Sequence, residues 1–148
     1  MKTLGLASFA LTAGLFVVLT AQAGDEEAQK KEKAALHGTW KIISLENNQG
    51  KDAGAEGATL EFDKDGKNIT FTKDNQTKKG TFTLNPGGKP KEIDIKPSDE
   101  DKTFEGIYKI EKDKLTICLA PEPGDGRPNE FALTDGKKYL LIVLEKSK

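Results

Sequence analysis

One cysteine, one histidine and one arginine are all that 148 residues hold of three types that often carry nucleophilic, acid–base or anion-clamping chemistry. With Cys118 alone, no intrachain disulfide can form, so the fold must rest on packing. A Cys118–His37 nucleophilic pair would need the two side chains within hydrogen-bond reach. His37 precedes the first predicted strand, and Cys118 stands inside a late one between Ile117 and Leu119, where an inert half-buried thiol is the ordinary outcome. Carboxylates paired at a recognisable spacing for general acid–base work are also missing. Asp63-x-Asp65-Gly66-x-Asn68 superficially suggests a calcium loop, but with Glu61 as first ligand the twelfth position is Thr72, not a glutamate, and the flanks read as strands where such loops need helices. The expectation is a protein that is not an enzyme and uses no cofactor or metal.

Excess charge of one sign is lacking too. Lysine and arginine number 23 against 24 acidic residues, a balance that gives no electrostatic case for nucleic acid or an anionic membrane. The one extended apolar run is Leu4 to Leu19, preceded by Lys2 and followed by Ala21-Gln22-Ala23, the small-x-small form of a signal-peptidase site. Residues 1–23 are therefore expected to be an export signal cut after Ala23, with the protein periplasmic or extracellular. Gly24 at the cut, in place of cysteine, argues against a lipid anchor, and Asp25-Glu26-Glu27 against a retained span. Export removes one lysine, leaving 22 basic and 24 acidic residues, a net charge of −2.

Short alternating strands fill the rest. Residues 24–36 carry Glu26/Lys30 and Glu27/Lys31 at helical i, i+4 spacing and predict a short helix or tether whose last turn closes one end of the domain at 37–148. The first strand, 38–46, puts Trp40, Ile42 and Ser44 on one face and Lys41, Ile43 and Leu45 on the other. A Gly/Asn/Ala-rich loop at 47–57 is a candidate mouth or lid. Leu60 and Phe62, then Ile69 and Phe71, alternate with polar residues about Asp65-Gly66, a strong hairpin signal. Phe82 and Leu84, Ile93 and Ile95, then Phe104, Gly106, Tyr108 and Ile110 continue the inward face, with Leu115, Ile117 and Leu119 after a tight turn at Lys112-Asp113. Three prolines in 120–128 exclude a central strand there. Phe131 and Leu133 predict a short strand. Tyr139 to Leu144 predicts a closing strand, apolar on both faces, paired with the first strand and covered outside by the N-terminal segment. Eight or nine strands with short connections predict an all-β fold, a single antiparallel up-and-down β-barrel, since closure removes exposed edges.

Gly38-Thr39-Trp40 at the start of the first strand resembles the Gly-x-Trp signature of lipocalins, in which the tryptophan plugs the closed end. Leu36 to Lys41, Phe104-Glu105-Gly106-Ile107-Tyr108, Leu115-x-Ile117-Cys118 and Arg127-Pro128-x-Glu130-Phe131 resemble an uncharacterised family of exported lipocalin-like domains common in planctomycete bacteria. That resemblance covers about 36–145 and implies a fold without naming an activity. A typical lipocalin also packs an arginine on the tryptophan late in the barrel; here Lys146 stands near that position.

An eight-stranded barrel either fills its interior with side chains or holds one small ligand. A wholly apolar inward face favours the second outcome: a monomer binding a small, mostly apolar ligand, with Trp40 at the closed end and Phe82, Phe104 and Tyr108 on the cavity wall. Tyr108 and Ser44 would supply polar contacts. Arg127, the one guanidinium, is either a clamp at the mouth or a pin for its Pro-rich loop, paired with Glu130 or backbone carbonyls. The alternative is a filled barrel that meets another exported protein through the loops at 47–57, 85–90 and 120–128.

Overall fold

The structure, a computed structural model, describes residues 26–148; the predicted export signal lies outside the described residues. Helix α1 spans 26–36. Nine strands follow: β1 (Gly38–Asn47), β2 (Gly50–Lys51), β3 (Thr59–Phe62), β4 (Asn68–Lys73), β5 (Gln76–Asn85), β6 (Glu92–Pro97), β7 (Phe104–Glu111), β8 (Lys114–Ala120) and β9 (Leu140–Lys146). β1 pairs antiparallel with β3, each of β3 to β8 pairs antiparallel with the next, and β9 returns to pair with β1, so eight strands close a barrel to which β2 adds a two-residue hairpin. No sheet edge is left in the ring itself.

Alternation explains the core. Leu60, Phe62, Ile69, Phe82, Leu84, Ile93, Ile95, Tyr108, Leu115, Ile117, Ile142 and Leu144 point inward and form one cluster with Leu36 and Trp40. The Asp63–Lys67 turn between β3 and β4 is held by Asp63, whose Oδ1 accepts the backbone N–H of Lys67 and of Asn68 while Oδ2 accepts Asn68 Nδ2. These bonds, led by that from Lys67, hold the carboxyl below its ordinary range. Asp63 is thus spent on the turn.

Three expectations fail, each for a physical reason. In β1, Ile42 faces Leu144 and Ser44 faces Val143, so Ile43 is an extra residue, a β-bulge, and the alternation changes phase there. Leu45 therefore packs against the core, opposite Ile142, while Ser44 takes the outward phase of Val143 and supplies no polar contact inside. Phe131 and Leu133 form no strand; they sit in an irregular strap, 121–139, and pack on the outside of the barrel against Ile107, Cys118, Ala120 and Tyr139. That strap, not the N-terminal segment, covers the outer apolar face of β9 at Leu141. The prolines that bar 121–128 from a ladder leave the segment free to lie along the wall.

Candidate functional site

Antiparallel order fixes which loops share an end. The α1–β1 junction and the β3–β4, β5–β6 and β7–β8 turns lie at one end; the 47–58 loop, the β4–β5 turn, the 98–103 loop and the strap lie at the other. Loop 47–57 thus lies at the opposite end from 85–90, whereas the strap runs down the wall until Arg127 reaches Glu92, which accepts the Asn85 side-chain amide at 2.6 Å.

The first end is closed. Leu36, at the last turn of α1, is fully buried, and its carbonyl accepts the Trp40 indole N–H at 2.8 Å. Lys146 Nζ lies 4.7 Å from the Trp40 ring centroid and donates to the His37 carbonyl, so a lysine takes the cation–π position late in the barrel. Phe62 and Phe82 meet edge to face at 5.1 Å. Glu32 on α1 accepts the Tyr108 hydroxyl at 2.9 Å and pairs with Lys91, and Gln29 donates to the Leu84 carbonyl. Burial, then the Glu32 carboxylate, push the Tyr108 phenol far above its ordinary pKa. Lys33 lies over Gly66, whose φ of +69° and missing side chain suit both the turn and the close approach of the helix. Trp40, expected at the closed end, stands here, and Phe82 and Tyr108, expected on a cavity wall, are fillers of this end as well.

The other end is hollow. A cavity of about 270 Å³ opens there, and all eight barrel strands contribute to it: Ile42 and Leu45 from β1, Leu60, Ile69, Phe71, Gly80, Ile95, Phe104, Leu119, and Leu140 with Ile142 from β9. Of the four residues expected inside, Phe104 alone lines it. Phe62 and Phe82 take the next inward positions beyond Leu60 and Gly80 and do not line it. Gly80 matters twice: a Cβ there would sit 2.6 Å from the Lys96 carbonyl, where β5 and β6 approach, and the missing side chain leaves volume free. The rim carries Lys78 and Lys79 on β5 and Asp99 and Glu100 on the 98–103 loop, Glu100 paired with Lys102. Beyond the rim a second space of about 220 Å³ shares Phe71 and Lys78 with the first and adds Lys73, Asp74 and Gln76.

Arg127 is absent from this mouth. It lies on the outer wall, where Asp94 of β6 and Glu105 of β7 stand directly opposite each other. Its Nη1 lies 2.8 Å from Asp94 Oδ1, its Nε 3.2 Å from Glu92 and its Nη2 3.7 Å from Glu105, and Nη1 also donates to the Gly106 carbonyl at 2.8 Å. Burial works against the charge, but Asp94 and then the other two carboxylates outweigh it and raise the guanidinium pKa. Like charges paired across a ladder repel; the arginine offsets that repulsion and joins the strap to the wall through Glu92, Asp94, Glu105 and the Gly106 carbonyl, and Glu130 is not among its ion-pair partners. Two acids on neighbouring outward positions with one arginine in the chain were the available signal.

Cys118 lies under the strap with its Sγ toward the Ala132 carbonyl, and burial pushes its pKa up to about 11. His37 is exposed at the closed end. The two are not brought together. Among the described residues, no group of His, Cys, Asp and Glu is arranged to hold a metal ion, and no helix is long and apolar enough to cross a membrane.

A family model described as a lipocalin-like domain matches residues 36–137, more than half of the 148-residue chain. No curated protein matches the chain, and no solved structure does.

Proposed function

The chain belongs to the lipocalin-like domain family, and from that premise we propose that it is an exported, non-enzymatic carrier that binds a small, mostly apolar ligand in the cavity at the open end of the barrel. One observation carries this reading: a void of about 270 Å³ walled by aliphatic and phenylalanine side chains from seven strands of the ring, with Gly80 and two rim lysines from β5, in a barrel whose other half is packed. An apolar cavity of about 150 Å³ stays dry and takes up benzene, so this larger space, open at its mouth, suits a ligand of about two rings with a further group at the rim, or a short hydrocarbon chain. Burial of that ligand's apolar surface supplies the affinity, since the wall offers few polar groups to orient it.

The test is titration of the protein with N-phenyl-1-naphthylamine, read by dye fluorescence because Trp40 is remote from the cavity. Saturable binding at one site per chain is expected, and Leu45→Trp, which fills the mouth from β1, should weaken it at least tenfold. Absence of saturable binding, or equal binding by Leu45→Trp, would remove the reading.

A further inference from the structure

The inner face of the β4–β5 hairpin changes character as it leaves the barrel. Its successive inward cross-strand pairs are Ile69/Gly80, Phe71/Lys78 and Lys73/Gln76. At about 3.4 Å per residue, the surface passes from apolar to cationic over roughly 14 Å, and the two spaces described above meet at the middle pair. On the basis of the ligand-site reading of the cavity, we propose that the occupant is a short single-tailed amphiphile with an anionic head. Its tail lies among Leu45, Leu60, Ile69 and Ile142, and its head lies under the hairpin overhang beside Lys78 and Lys73.

Depth limits the tail. Below the Phe71/Lys78 pair the packed rings begin two residues down β3 at Phe62 and four residues down β5 at Phe82, about 7 to 14 Å of strand, so a long chain would leave its head far outside. Charge placement selects the head. Lys78 takes the inward phase of Gly80 and Phe82, and among the described residues neither it nor Lys73 has a carboxylate at ion-pairing distance. The acids of this end are disposed otherwise. Asp52 accepts the Gly54 N–H, near the Lys73 ammonium. Glu100 pairs with Lys102, Asp74 lies at the hairpin turn, and Asp99 is on the 98–103 loop beside β5, where the Ser98 N–H donates to the Lys79 carbonyl, without reaching ion-pairing distance of Lys78. A lysine at the edge of a low-dielectric cavity attracts an anion more strongly than one on an open surface.

The experiment is displacement of N-phenyl-1-naphthylamine by octanoate, octanol and octylammonium, at low ionic strength, for the protein, for Lys78→Met and for Lys109→Met on the outer wall. Octanoate should displace the dye at about fivefold lower concentration than octanol, as expected for one charge-assisted contact at a partly solvated site. Lys78→Met should bring the two to parity and leave octanol unchanged, while Lys109→Met changes neither. Equal displacement by octanoate and octanol in the unsubstituted protein overturns the head-group assignment and leaves the apolar cavity standing. Preference for octylammonium overturns it in favour of Asp99 and its neighbours. No dye binding at all defeats the cavity reading and this proposal with it.

Discussion

The two halves of this barrel share strands, alternation and an apolar inner face, yet one is packed and the other hollow. At the closed end Leu36 enters from α1, outside the ring, and Trp40, Phe62, Phe82 and Tyr108 supply large rings from β1, β3, β5 and β7. At the open end no α-helix of the described residues arrives, only the 3-10 turn Ala53–Ala55; Gly80 withholds a side chain, and the wall is built from Leu45, Leu60, Ile69, Ile95 and Ile142 with Phe71 and Phe104 toward the rim. Dense packing is therefore concentrated in the closed half, and the proposed ligand site is in the open one. A barrel that must keep a void needs a part that does not.

The sharpest way to break the comparison is to empty the packed half. Trp40→Ala removes a ring that is 1 % exposed, together with its bond to Leu36 and its contact with Lys146, and should cost about 3–5 kcal/mol by chemical denaturation. Phe71→Ala in the open half removes a half-buried ring that already faces space, and should cost only about 1–2 kcal/mol while weakening dye binding. Equal costs would mean that the halves do not differ as described.

On the outer wall, Arg127→Met leaves Asp94 and Glu105 opposed without a counter-ion. The expected cost is about 2 kcal/mol, below that of a fully buried pair because the site is partly solvated. The same change should loosen the strap, so that Cys118 reacts faster with a thiol reagent than in the unsubstituted protein; an unchanged rate would show that the strap is held without the arginine.

Alkaline pH acts on the same region. The Cys118 thiol has an ordinary pKa of 9.0 and is held up to about 11 in the fold, chiefly by burial. Its neutral form is the one the native state favours, so below pH 9 it makes no difference to stability; between pH 9 and 11 the unfolded chain ionises while the native one does not, and stability falls. Cys118→Ala should flatten that part of the slope in a pH series of unfolding midpoints. Tyr108 and Tyr139, both raised mainly by burial, add a further fall above their ordinary value of 10.0. Asp63 gives the smallest effect, on the acid side. Its pKa is lowered in the fold, so its contribution is present above the ordinary carboxylate value and fades as pH falls through the lowered one. Asp63→Ala should cost about 0.5–1 kcal/mol near neutrality, within the range of a lost local side-chain-to-backbone bond.

Much of the ring was legible in the sequence because strand alternation and turn residues are local signals. Leu60/Phe62 and Ile69/Phe71 about Asp65-Gly66, Ile93/Ile95, and Leu115/Ile117/Leu119 each read correctly onto the inner face. What escaped depended on partners far along the chain. Ile42-Ile43-Ser44-Leu45 contains apolar residues in both phases, so nothing local marks the bulge that β9 imposes and that brings Leu45 into the cavity. Phe131 and Leu133 have strand spacing, but the ladder partners were taken, and their apolar faces went to the outer wall over Cys118. The cavity was the least legible feature. Aromatics are the obvious candidates for a binding wall, yet bulk is what fills space, and Trp40, Phe82 and Tyr108 pack the closed end while smaller residues bound the void. Counting strand directions would have separated 85–90 from the mouth loops, since alternate turns of an up-and-down barrel lie at opposite ends.

The division into a packed and a hollow half is tested most directly by methyl chemical shifts of leucine and isoleucine during titration with octanol. Perturbation is expected at Leu45, Leu60, Ile69, Ile95 and Ile142, with Leu36, Leu84, Leu115 and Leu144 unmoved. Shifts spread evenly over both sets, or confined to the second, would contradict it.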